Sequence, residues 1–305
     1  MLKTISLALV FSLAFVLPCV AADPGAQAQT EAPPQYGFAI IKTARVAVRQ
    51  AVLVPGASWG REIDSNFSAF LIKHGEDTFL FDTGLGRQVD AQYGKDMPLF
   101  WRLFFSYDKP VRPARDQLEQ AGQALPKRII LSHSHWDHAS ALQDFPEARI
   151  AIAAPEMALV QAPSRGPGGS WPSQLANPAL RWELLHLQNI PYRGFARSLD
   201  LFGDGRAVLV DLAGHTPGSL GLFLTVDSGA LYFLIGDAAW TVDALRAAAP
   251  KFWAAGALVD GDAAQTQRVL GQLQQLMQET PQLRLLPAHD SRAQDALGYF
   301  PQWLR

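Results

Sequence analysis

Between residues 131 and 138 the chain reads Leu131-Ser132-His133-Ser134-His135-Trp136-Asp137-His138. Four side chains able to bind a metal ion, His133, His135, Asp137 and His138, fall within six residues, directly after an apolar run. A strand end that opens into a loop can aim alternate side chains at one spot. His133 and His135 can then face one ion, while Asp137 and His138, on the turning backbone, face a second. Neutral imidazole and carboxylate are good zinc ligands. A histidine-rich surface loop or a pair of core histidines would account for a lone HxH. The complete HxHxDH spacing points to metal.

Three further pieces stand at the ends of apolar stretches. Gly214-His215-Thr216-Pro217-Gly218 is a turn after the expected strand Ala207 to Leu212. Gly236-Asp237 ends the run Leu231 to Ile235, and Pro287-Ala288-His289 follows Leu283 to Leu286. Each is weak alone, since a turn histidine is usually solvated and an aspartate after a strand usually caps a helix. Together they bring one ligand to each of three strand ends.

The elements that must position these residues are short. Ala69 to Lys73 and Thr78 to Phe81 read as strands around the turn His74-Gly75-Glu76-Asp77, with Asp82-Thr83-Gly84 at the strand end. Arg128 to Leu131, Ala207 to Leu212 and Leu220 to Thr225 read as further strands. A helix is expected around Arg115 and Asp116. Asp262 to Glu279 carries Val269, Leu270, Leu273, Leu276 and Met277 on one helical face. Strands and helices occur in both halves without strict alternation, which fits two sheets covered by helices. Gln161 to Trp182 reads as one long loop. The aromatic run Leu99 to Phe105 is expected to be core, with a pocket wall as the alternative. His74 is expected to be solvated and His186 to be a strand or pocket residue. No G-x-S-x-G elbow, Walker A loop or complete G-x-G-x-x-G is present.

In this order and at these separations, HSHWDH, GHTPG, GDA and PAHD resemble the metal motifs of the metallo-β-lactamase superfamily, from about Tyr36 to the C-terminus. The resemblance implies an α/β fold, an αββα sandwich of two mixed β-sheets flanked by helices, with the site at one edge. It implies that His133, His135 and His215 hold a first ion, that Asp137, His138 and His289 hold a second, and that Asp237 bridges them. Two divalent ions per chain are then expected, zinc first, although such sites also take iron, manganese or cobalt. Asp82 matches the family's strand-end aspartate and is expected to orient metal-bound imidazoles. The implied chemistry is attack of a metal-bridged hydroxide on a lactone or ester carbonyl, with Asp237 or Asp137 handling the proton.

The branch is narrowed by departures. Asp237 argues against β-lactam cleavage, and too little chain follows His289 for a glutathione-holding helical domain. The first motif carries His135 where the flavodiiron branch has a carboxylate. What remains is similar to the N-acyl homoserine lactonases and the exported organophosphate hydrolases. Lactonases of this kind carry a tyrosine where this chain has Trp240, whose indole N–H donates from a different place. Trp136 and Trp240 are expected to form an aromatic mouth for an apolar acyl chain or aryl ester. A phosphotriester is the alternative substrate, and a metal-binding protein without turnover is the alternative of another class.

The formal net charge of -2 over 305 residues, with 49% apolar and 18% charged residues, gives a sizeable core and no general attraction to nucleic acid. Met1-Leu2-Lys3, the apolar run Ile5 to Leu17 and Val20-Ala21-Ala22 match a secretory leader cleaved after Ala22. The run is short for a spanning helix, so no stable membrane anchor is expected. The only cysteine, Cys19, lies inside that leader, which leaves the mature chain without thiols. Asp23 to Gln35 reads as a disordered linker, ahead of one domain over 36–305. A periplasmic or secreted location is therefore expected. Intact-mass measurement from a secreting host should give a mature N-terminus near Asp23. A full-length mass in the soluble cytoplasmic fraction would count against export.

Overall fold

The computed structural model describes residues 34–305, so the leader and most of the expected linker lie outside the described residues. Pro34 and Gln35, assigned above to the linker, belong instead to the packed chain. The Gln35 N–H donates to Asp227 Oδ2 at 3.0 Å, and the Gly75 N–H donates to the Gln35 carbonyl at 2.9 Å.

One sheet runs in chain order through β1 (Tyr36–Arg49), β2 (Glu62–His74), β3 (Asp77–Phe81), β4 (Arg128–Ile130), β5 (Arg149–Ala153) and β6 (Arg181–Leu185). β1 to β3 pair antiparallel and β3 to β6 pair parallel. The second sheet holds β7 (Ser198–Asp200), β8 (Ala207–Asp211), β9 (Leu220–Thr225), β10 (Leu231–Leu234) and β11 (Arg284–Leu286), in the order β11-β10-β9-β8-β7. Only β10 and β11 are parallel there. Both sheets are mixed, as expected.

The period of two along each strand sorts the core into layers. Phe70 and Ile72 of β2 meet Leu222, Leu224 and Leu234 of the second sheet in the inner layer. Ala69 and Leu71, on the other face of β2, pack with Ala114 and Leu118 of the helix Ala114–Gln120. Val208, Val210 and Phe233 pack under Val269, Leu270, Leu273 and Leu276 of the helix Ala263–Glu279. Asp262 is that helix's N-cap, its carboxylate accepting the Gln265 N–H at 2.8 Å. These layers are an αββα sandwich. Among the described residues no helix is long and apolar enough to cross a membrane.

Two expectations are corrected. His74 is half-buried rather than solvated, because its ring stacks on Phe202 at 3.7 Å and Nε2 lies 2.9 Å from Asp204. The segment 161–182 is not one loop: it holds the short helix Pro172–Leu175 and the start of β6. Trp171 anchors it, fully buried and donating its indole N–H to the Gly166 carbonyl at 2.8 Å. His186, expected to be a strand or pocket residue, lies exposed just beyond β6 and lines a small second cavity.

Leu273 is completely buried on the helix that covers the second sheet. Leu273→Ala should lower unfolding free energy by about 2–5 kcal/mol, the usual cost of a core cavity. Urea denaturation of the two proteins measures it.

Candidate metal centre

Strand pairing carries the ligands to one edge. β10 and β11 run parallel with Leu234 opposite Leu286, so Asp237 and His289, each three residues further on, emerge side by side. The Gly236 backbone allows the turn: its φ is +51°, and a Cβ there would lie 2.9 Å from Ser132 Oγ. β3 and β4 also run parallel, which places Asp82 beside Ser132. The Leu220 N–H at the start of β9 donates to the Ser132 carbonyl at 2.8 Å. That bond docks the His215 turn against the His133 loop and joins the sheets at the site.

All seven expected ligands converge. His133, His135 and His215 form one group whose ligand atoms lie within 4.8 Å of one another, and Asp137, His138 and His289 form another; His133, His138 and Asp237 link them. Asp237 Oδ1 lies 3.3 Å from His138 Nε2 and 3.2 Å from His289 Nε2, while its Oδ2 lies 3.7 Å from His215 Nε2. The two oxygens of one carboxylate thus face different groups.

Outer hydrogen bonds fix which nitrogen of each ring is bare. Asp82 Oδ2 accepts the Ser132 hydroxyl hydrogen at 2.8 Å, so the same hydroxyl oxygen must accept the Nδ1–H of His133, 2.9 Å away. His215 Nδ1 donates to Asp260 Oδ1 at 2.7 Å. The Nε2 atoms of His133 and His215 therefore both carry lone pairs, yet stand 3.2 Å apart. Two facing lone pairs in a buried site repel unless a cation lies between them. His138 Nδ1 donates to Asp82 at 2.9 Å and His289 Nδ1 to the Asn66 carbonyl at 2.7 Å. Among the described residues the buried His138 Nε2 and Asp237 Oδ1 have no hydrogen-bond partner. A divalent cation in each group would satisfy these orphaned atoms, and the donor set fits such ions.

The electrostatics divide the histidines. Burial and the neighbouring imidazoles hold His133 well below the usual histidine value, and the same causes push His135 down to about 3. Burial and then the Lys251 ammonium lower His215. This trio is neutral and ready to bind metal. For His138 and His289 burial works in the same sense but is outweighed by carboxylates. Asp82, Asp137 and Asp237 raise His138 well above its usual value, and Asp237 and Asp137 raise His289 to about 10. A cation entering on that side replaces protons.

Asp82 takes the expected orienting place, in a left-handed backbone conformation (φ +59°) that aspartate tolerates better than most residues. It also accepts the Ser132 N–H at 2.7 Å. Three supporting residues escaped the sequence reading. Fully buried Glu156 accepts the Ser134 N–H and hydroxyl on Oε1 (2.9 and 2.7 Å) and the Gly218 N–H on Oε2 at 2.9 Å. It clips the two histidine loops together, and a Cβ on Gly218 would come within 2.4 Å of it. The sequence signal was an acid three residues past the end of the apolar strand Ile150 to Ala153. Asp260, paired with buried Lys251, and the Asn66 carbonyl had no local signal.

Above the ligands lies a cavity of about 610 Å³. Val46, Val48, Phe67, Trp101, Phe105 and Leu258 give its wall a mainly apolar character. The run Leu99 to Phe105 is wall and rim rather than the expected core: Phe100 and Phe104 line the cavity yet are 62% and 63% exposed. Trp136 lines the cavity too, but as a buried residue stacked on Trp171 at 4.8 Å rather than as a mouth. Trp240 also lines it, with its indole N–H committed to Asp237 Oδ2 at 3.0 Å.

Residues 66–289 match the sequence profile of the Metallo-beta-lactamase superfamily. An N-acyl homoserine lactonase of Rhizobium radiobacter is 27% identical over 181 residues, 57% of this chain and 65% of that protein. A probable metallo-hydrolase of Mycobacterium tuberculosis is 32% identical over 181 residues, 55% of each chain. The match thus spans less than two thirds of either relative. The solved structure of an N-acyl homoserine lactone hydrolase, with N-hexanoyl-L-homoserine at its catalytic metal centre, superposes with a TM-score of 0.66 at 16% identity. It covers 90% of this chain and 100% of that one. At that identity the likeness speaks for the fold.

Glu156→Gln keeps the shape but turns an amide N–H₂ toward one of three donors. It should destabilise the protein by about 1–3 kcal/mol through the donor left unpaired, read by urea unfolding. It should also speed loss of bound metal to a chelator; unchanged stability and retention would show that Glu156 does not clip the loops.

Proposed function

The chain belongs to the metallo-beta-lactamase superfamily, and on that premise we propose that it is a dinuclear metal-dependent hydrolase of lactones or esters bearing a large apolar group. One observation carries the reading: the Asp237 carboxylate faces both ligand groups at the floor of an apolar cavity. The lactonase relatives support the lactone or ester choice.

When bound, the two divalent ions, zinc by ligand chemistry, would supply Lewis acidity toward the scissile carbonyl and would acidify a water at the floor. His133, His135 and His215 would hold one ion, Asp137, His138 and His289 the other, and Asp237 would bridge. The chain's own residues do the rest. The apolar wall takes the acyl or aryl group and displaces water, which strengthens every charge interaction at the floor. The Trp240 indole N–H holds Asp237 Oδ2, fixing the orientation of the bridging carboxylate. Asp137 lines the cavity floor with Oδ2 turned to His289 Nε2 at 3.2 Å, and its other carboxylate oxygen would accept a proton and pass it toward the leaving oxygen.

Trp240 also favours a second reading. Its N–H is spent on Asp237, so it offers no donor to a lactone oxygen, and its ring remains as an apolar surface. Aryl phosphotriesters need such a surface more than they need a donor, and their hydrolysis is the second reading.

Hydrolysis assays with lactones, aryl esters, phosphotriesters and β-lactams, on metal-loaded and chelator-stripped protein, test the proposal. Turnover of a lactone or ester by the loaded form alone is expected, with kcat/KM rising about fourfold per added acyl methylene until the cavity fills, from about 0.8 kcal/mol per buried CH₂. Phosphotriester turnover without lactone or ester turnover would favour the second reading. No metal-dependent hydrolysis of any of them would overturn both.

A further inference from the structure

Lys251 is a lysine where lysine is costly. Its side chain is 3% exposed, and its one ion pair among the described residues is with Asp260, Nζ to Oδ1 at 2.7 Å. The same oxygen accepts the Nδ1–H of His215, also at 2.7 Å. Two donors sharing one acceptor brings the Lys251 and His215 nitrogens to 3.4 Å. The Trp240 ring lies on another side of the ammonium, with its centroid 5.6 Å away. Packing does not account for a charge here, because an apolar side chain of similar length would fill the space without desolvating an ion pair.

We infer that Lys251 is a positioning residue for the three-histidine group: its ammonium, sharing Asp260 Oδ1 with the His215 Nδ1–H, sets the orientation and donor strength of the His215 imidazole. A carboxylate with no other partner pulls hard on an imidazole N–H and makes the far nitrogen a stronger, more anionic donor. With the ammonium on the same oxygen that pull is tempered. The ion facing His215 Nε2 then keeps more of its Lewis acidity. The pair also reaches the cavity wall. Lys251 lies just before the helix Trp253–Val259 and Asp260 is its C-cap, so the salt bridge ties both ends of that helix to His215. Phe252, Ala255, Leu258 and Val259, in or beside this helix, line the cavity. One buried ion pair thus connects a metal ligand to the surface that meets the substrate's apolar part.

The inference rests on the metal-binding half of the proposed function and not on turnover, so Co(II) is the probe. Metal-free native protein, Lys251→Met, Lys251→Arg and Asp260→Asn are titrated with Co(II) and followed by visible absorption, with far-ultraviolet circular dichroism as the check on folding. Lys251→Met, which keeps the stem and removes the charge, should displace the Co(II) bands and change affinity by about tenfold, the scale typical of an outer partner of a metal ligand. Lys251→Arg should return both toward native, and Asp260→Asn, which removes the carboxylate's pull on the His215 N–H, should displace the bands in the opposite direction. On a hydrolysed substrate Lys251→Met should lower kcat far more than it raises KM. Native bands and native affinity in Lys251→Met overturn the inference, as does Lys251→Arg behaving like Lys251→Met. Should Lys251→Met not fold, native bands in Asp260→Asn overturn it instead. Native protein that binds Co(II) but hydrolyses nothing ends the functional reading and leaves this test standing; native protein that binds no Co(II) overturns both.

Discussion

Five imidazoles and two carboxylates crowd one buried floor, and most of their inward atoms are lone pairs. On the three-histidine side such a cluster is repulsive by itself. The His133 and His215 Nε2 atoms stand 3.2 Å apart, and Asp237 Oδ1 and His138 Nε2 are buried without a hydrogen-bond partner among the described residues. The surrounding structure holds this arrangement by fixing each ring from its outer side. Asp82 and Ser132 serve His138 and His133, Asp260 serves His215, and the Asn66 carbonyl serves His289. Each outer acceptor sits on a different element, so the sandwich must close before the site exists. The site in turn is a place where folding and cation binding share free energy.

The fold follows from this demand. Two pairings are parallel and feed the site: β3 with β4 in the middle of one sheet, and β10 with β11 at the end of the other. Each delivers two loop starts side by side. Glu156 then joins the first histidine loop to the His215 turn. The apolar cavity is built from segments with little regular structure, chiefly the run 99–105 and the stretch around the helix Trp253–Val259. Ligands ride on strand ends, where the backbone is fixed, and the wall rides on loops, where shape can vary without disturbing the metal floor.

What the sequence made legible was what is local. HxHxDH carries its chemistry in its spacing, and His215, Asp237 and His289 each follow an apolar strand that can be read alone. Short apolar runs or a helical face marked the last part of β2, β9, β10 and the helix Ala263–Glu279. Long-range partnership left no such trace. Asp260 lies 45 residues from His215, and Asn66 lies 223 from His289. The run Leu99 to Phe105 was misjudged because hydrophobicity marks a side chain's preference and not what covers it. Trp136 and Trp240 were rightly placed at the cavity, but their contacts with Trp171 and Asp237 depend on tertiary geometry.

The proposed function turns on Asp237 as the group that two cations would share. The most direct test is elemental analysis of metal-saturated native protein and of Asp237→Asn after identical dialysis. The account expects about two ions per chain in the native protein and loss of one of them in the variant, with circular dichroism unchanged. A native protein holding a single ion, or a variant that retains the full native complement, would contradict it.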